Sequence, residues 1–69
     1  METLHSGNVK TGTIEYSWTF EDAGDHEHPY ILTVTVAGHS QSEGCDHDVG
    51  EKEALVKADN LAREIHASM

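Results

Sequence analysis

The sequence predicts an α+β domain in which an antiparallel β-hairpin, with room for a third strand, packs against one C-terminal helix. Two patterns carry that expectation. Apolar and polar residues alternate from Thr13 to Glu21 and again from Tyr30 to Val36, and a period of two marks half-buried strands. Beyond Asp48 the period changes: Ala54, Leu55, Ala58, Leu61, Ala62 and Ile65 recur at steps of three and four, the spacing of one helix face.

Residues 1–9 are polar and aperiodic and read as a flexible N-terminal arm, leaving 10–69 as a single ββ(β)α domain. In the first strand Ile14, Tyr16, Trp18 and Phe20 share one face, opposite Thr13, Glu15, Ser17 and Thr19. Glu21 to Pro29 carries too much charge to be buried and is punctuated by Gly24 and Pro29, so it forms the hairpin loop. Tyr30, Leu32, Val34 and Val36 then form a second apolar set, rich in the β-branched residues that pleated strands favour. Ala37 to Ser40 reads as a turn, and Ser42 to Asp46 has the length of a short third strand. Asp48-Val49-Gly50-Glu51 has capping-box spacing, so the helix is expected to begin there with its apolar stripe on the aromatic face of the hairpin.

With 69 residues the chain can bury only about 60% of its unfolded surface. So thin a core usually leans on a disulfide, a metal or a partner subunit. Cys45 is the only cysteine, which excludes an internal disulfide and fits a reducing compartment. The first residues match neither a secretory signal nor a membrane span, and a soluble, cytoplasmic protein is expected. Thirteen acids against four bases give a formal net charge of -9, which repels phosphate backbones and anionic lipid headgroups. Nucleic acid and membrane are therefore disfavoured as partners, and a protein with a basic surface is the natural complement.

Tyr16, then Gly24-Asp25-His26, then Tyr30 with its alternating apolar residues, and finally Glu43-Gly44 before Glu51-Lys52-Glu53-Ala54, together resemble the C-terminal two-thirds of a double-stranded-RNA-binding domain. The resemblance implies strands followed by a closing helix, and as a function either dimerisation or weak RNA contact. That family's first helix has no counterpart in the N-terminal segment. Of its three basic helix-start positions only Lys52 is matched, with Glu51 and Leu55 at the others, and Glu51 would repel a phosphate.

Chemistry concentrates in two clusters, Asp25-His26-Glu27-His28 and Glu43 to Asp48, which meet if the third strand runs antiparallel to the second. His26, His28, Cys45 and His47 offer four nitrogen or sulfur ligands of the kind zinc takes, although the one-residue gaps are shorter than usual. No catalytic residues are expected, because Cys45 and His47 on an extended segment lack an orienting pocket, and the protein is not expected to be an enzyme. The leading expectation is a partner-binding rim made of Glu21, Asp22, Asp25, Glu27, Glu43, Asp46, Asp48, Glu51 and Glu53. Such a rim suits a basic nucleic-acid-binding groove on another protein, in the manner of the small inhibitors that phages make against host defence nucleases. A homodimer through a free strand edge would relieve the thin core.

Overall fold

The computed structural model describes residues 2–24 and 29–69 and contains a four-stranded antiparallel sheet with one helix on one face. The strands follow the chain as a meander: β1 Glu2–Thr11, β2 Ile14–Asp22, β3 Tyr30–Val36 and β4 His39–Cys45, in the order β1-β2-β3-β4. The helix α1 spans Gly50–Ala67 and lies chiefly over β3, with β2 next. No described helix is long and apolar enough to cross a membrane. The expected α+β class is the one found, with a larger sheet than a hairpin.

The core follows the two sequence periods. Tyr16, Trp18 and Phe20 of β2 and Leu32, Val34 and Val36 of β3 are buried on one face of the sheet. Ala54, Ala58, Leu61, Ala62 and Ile65 of α1 are buried against them. The fully buried Ala54, Ala58 and Ala62 stand four residues apart, so the contact line of the helix is nearly bare backbone and the aromatic side chains fill the layer. Leu55, expected in this stripe, is 37% exposed, because it lies beside that line rather than on it. Tyr30 is half-buried and its ring stacks on Phe20 at a centroid distance of 5.7 Å.

The expected flexible arm is replaced by β1, which pairs along its length with β2 from Glu2↔Asp22 to Thr11↔Ile14. Its inward positions are His5, Gly7, Val9 and Thr11, set opposite Phe20, Trp18, Tyr16 and Ile14. Only Val9 among them is strongly apolar, and a register shift between Thr3 and His5 interrupts the alternation. This strand is held by its backbone ladder and by aromatic side chains reaching over it. A Cβ at Gly7 would come within 3.0 Å of Trp18 Nε1, so the indole occupies the space a side chain there would need.

The third hairpin strand of the sequence reading becomes β4, and it starts earlier than Ser42. The expected four-residue turn contracts to Ala37-Gly38, with φ of 49° and 85°, the two positive values a type I′ turn requires. His39 and Ser40 therefore pair with Val36 and Thr35. At the helix start Val49 is the N-cap and makes no side-chain cap hydrogen bond. The Gly50 amide instead donates to Asp48 Oδ1 at 2.9 Å, so the expected capping box gives way to a local Asx-type turn.

Ala37 is the one described residue other than glycine with positive φ, a conformation that Asn adopts more readily. Ala37→Asn is expected to stabilise the fold by about 0.5–1 kcal/mol, read as a rise of a few degrees in the thermal midpoint by circular dichroism. An unchanged or lower midpoint would show that the turn is not strained.

Candidate functional site

Antiparallel pairing brings the start of β1, the end of β2, the start of β3 and the end of β4 to one end of the sheet. The register is explicit: Glu2 faces Asp22, Asp22 faces Tyr30, and Tyr30 faces Cys45. The segment 46–49 leaves that end, and the first turn of α1 follows. Glu2, Glu21, Asp22, Asp46, Asp48 and Glu51 therefore gather at a single end, where Lys52 and, in a depression with Asp46, Lys57 are the accompanying lysines among the described residues. Lys10 and Arg63 lie toward the opposite end, near the β1–β2 turn and the last turns of the helix.

The geometry within this end is ordered by short polar contacts. Glu21 projects onto the face of the sheet away from the helix and accepts hydrogen bonds from Thr3 Oγ1 and Thr19 Oγ1, each at 3.4 Å. The Gly24 amide donates to Asp22 Oδ1 at 3.0 Å, and the Ala23 amide donates to the Pro29 carbonyl at 2.8 Å. His5 Nε2 lies 3.4 Å from Asp48 Oδ1, with its ring centroid 5.9 Å from that of Phe20. That approach is too poorly aligned to be a hydrogen bond, so it links β1 to the 46–49 segment as an ion pair only when the imidazole is protonated.

One member of the expected rim lies apart from this end. Glu43 sits on the helix-side face of β4, opposite Leu32, in a depression it shares with Lys57, Asn60 and Glu64. Glu53, in the first turn of α1, stays with that end and lines a depression with Cys45, Asp46, His47 and Lys57. Asp25 and Glu27 lie outside the described residues. Glu2 and His5, by contrast, join the site from a segment that sequence reasoning assigned no role. Their signal would have been the hairpin turn at Gly12, with φ of 59°, which folds β1 back along β2.

Ion pairing does little to neutralise the acids. Among the described residues Arg63 pairs with Asp59 at 2.9 Å, and His5 pairs with Asp48 only when its imidazole is protonated. Asp59 also accepts from the Tyr16 hydroxyl at 3.5 Å. Burial first, and the Asp59 carboxylate second, raise the Tyr16 phenol above its ordinary range. Glu2, Glu21, Asp22, Asp46 and Glu51 have no ion-pair partner among the described residues.

Of the four candidate metal ligands, His26 and His28 lie outside the described residues, Cys45 is buried and His47 is exposed. Among the described residues no group of three or more His, Cys, Asp or Glu side chains is arranged to hold a metal ion. Burial raises the Cys45 thiol, reinforced by the Glu43, Asp46 and Glu53 carboxylates and opposed by Lys57, so the protonated form is favoured. At the basic helix-start positions implied by the resemblance to double-stranded-RNA-binding domains stand Glu51, Lys52 and Leu55, all exposed. Compared with known protein families, curated proteins and solved structures, the chain matches none.

The state of Cys45 can be read directly. Its reaction with a thiol-specific disulfide reagent at neutral pH is expected to be slower in the folded protein than in denaturant by about tenfold or more. Equal rates would mean that the thiol is neither shielded nor raised.

Proposed function

We propose that this protein is a small acidic binding module whose acidic end occupies a basic, nucleic-acid-binding groove on a partner protein, as an inhibitor of the phage type would. One observation carries this reading: five carboxylates at that end have no ion-pair partner among the described residues, and the lysines beside them, Lys52 and Lys57, are fewer than the acids. Bringing such charges together costs self-repulsion, which a cationic partner would relieve while gaining steered association. Asp22 and Glu21 are held in place by their backbone and threonine contacts, so part of the ordering entropy is lost before a partner arrives.

The reading is tested by competition. Cell proteins retained on DNA-cellulose are challenged with the purified chain, and a specific subset is expected to elute in complex with it. Asp46→Lys with Glu51→Lys, both at exposed positions, should remain folded and elute none of that subset. If the charge-reversed protein elutes the same proteins, the acidic end is not the binding surface.

A further inference from the structure

The two edges of the sheet differ in how they are protected. The β1 edge carries a bulge between Thr3 and His5 and a lysine at position 10, devices that discourage pairing with another strand. The β4 edge has none of them. Its seven residues keep an unbroken register with β3 and include no Lys, Arg or Pro, and all but Cys45 are exposed. The helix lies chiefly over β3, so nothing among the described elements covers the outer side of β4.

The turn fixes which backbone groups point outward. In a two-residue hairpin the flanking residues, here Val36 and His39, exchange both backbone hydrogen bonds, and hydrogen-bonded pairs then alternate along the ladder. His39, Gln41, Glu43 and Cys45 thus turn their amides and carbonyls toward β3, while Ser40, Ser42 and Gly44 turn theirs away. We infer that β4 pairs antiparallel with β4 of a second copy about a twofold axis at Ser42, joining two sheets into one of eight strands.

Several features favour that occupant and that register. An axis at Ser42 engages all seven residues: Ser42 faces Ser42, Ser40 faces Gly44, and these are the residues whose backbone groups are free. On the helix-side face Gln41 falls opposite Glu43 of the other copy, so an amide meets a carboxylate twice. An axis at Glu43 would instead set two carboxylates face to face. On the open face the serines already belong to hydroxyl pairs, with Thr33 and Ser42 oxygens 3.0 Å apart and Thr35 and Ser40 oxygens 2.7 Å apart, and the Thr33–Ser42 row would continue across the junction through Ser42 of the second copy.

Charge agrees at longer range. With each helix above its own β3, three strand spacings separate the two axes by about 14 Å, within reach of long side chains from both. Lys57, Asn60 and Glu64 line the β4 side of α1 and flank Ser42. Antiparallel placement about that point sets Lys57 opposite Glu64 of the second copy, and Glu64 opposite Lys57. The acidic ends, both at the Cys45 end of β4, are carried to opposite ends of the dimer, which keeps the repulsion between two chains of net charge -9 small.

Sedimentation equilibrium of the full chain over a wide concentration range is expected to give the dimer mass. Ser42→Pro removes an outward amide without breaking the β3 ladder, a placement that edge strands tolerate, and should give a monomer with the wild-type circular dichroism spectrum. Should that variant fail to fold, Gln41→Glu decides the matter: it sets two like-charge pairs across the junction and is expected to weaken association about tenfold. Oxidation of Ser42→Cys in a Cys45→Ala background should give a covalent dimer, and Asn8→Cys on the other edge should not. A monomer at every concentration, a dimer indifferent to the changes at 42 and 41, or cross-linking through position 8 alone would overturn the inference. None of these readouts depends on the partner of the acidic end.

Discussion

Close approach between α1 and the sheet governs the rest of this structure. Ala54, Ala58 and Ala62 present almost no side-chain bulk, so the helix settles near the strands and the layer between them is filled from the sheet side by Trp18, Phe20 and Leu32. A helix seated this closely over β3 cannot also shield the margins of a four-stranded sheet. Apart from Val9 and Cys45, the inner positions of β1 and β4 are accordingly small or polar: His5, Gly7 and Thr11 on one, His39, Gln41 and Glu43 on the other. Exposure of both edges is thus a consequence of packing geometry, with β1 blunted and β4 left open.

The same constraint explains what the sequence disclosed. Strands β2 and β3 and helix α1 pack against one another, so each must show the hydrophobic period of its own backbone, and each does. An edge strand beyond the helix has less to bury, and its pattern fades. Strand β1 was unreadable because Leu4 sits at a register shift and Gly7 yields its place to Trp18. Strand β4 was legible only at its Cys45 end, where burial resumes. The site followed suit: Glu21, Asp22, Asp46, Asp48 and Glu51 were legible as charges near loops, and antiparallel pairing gathers them. Glu2 and His5 depended on a strand with no period to betray it. The helix start was misread in detail because Asp48 satisfies its carboxylate at Gly50, a backbone choice that capping-box spacing alone does not reveal.

Placing acids at this end is less costly than their number suggests. The first turn of α1 points its free amides and the positive end of its dipole toward the same region, and Glu51 and Glu53 sit in that turn. The opposite end holds the helix C-terminus with Arg63 and His66 nearby, again the favourable sign. The fold is therefore electrically lengthwise, along the direction in which the strands and helix run. Pairing through β4 would leave both acidic ends facing outward, so a dimer could engage two basic surfaces at once and gain avidity from a partner that is itself repeated.

The chain has a single tryptophan, and its environment is set by a strand other than its own. Trp18 is 4% exposed, yet its Nε1 finds no acceptor among the described residues, and what lies beside it is the bare backbone at Gly7. Loss of β1 from the sheet would open the indole to water while β2, β3 and α1 retained their shared core. The intrinsic fluorophore is thus positioned to report on the attachment of the first strand, the element with the weakest apolar anchoring, separately from the melting of the helix seen in the far ultraviolet.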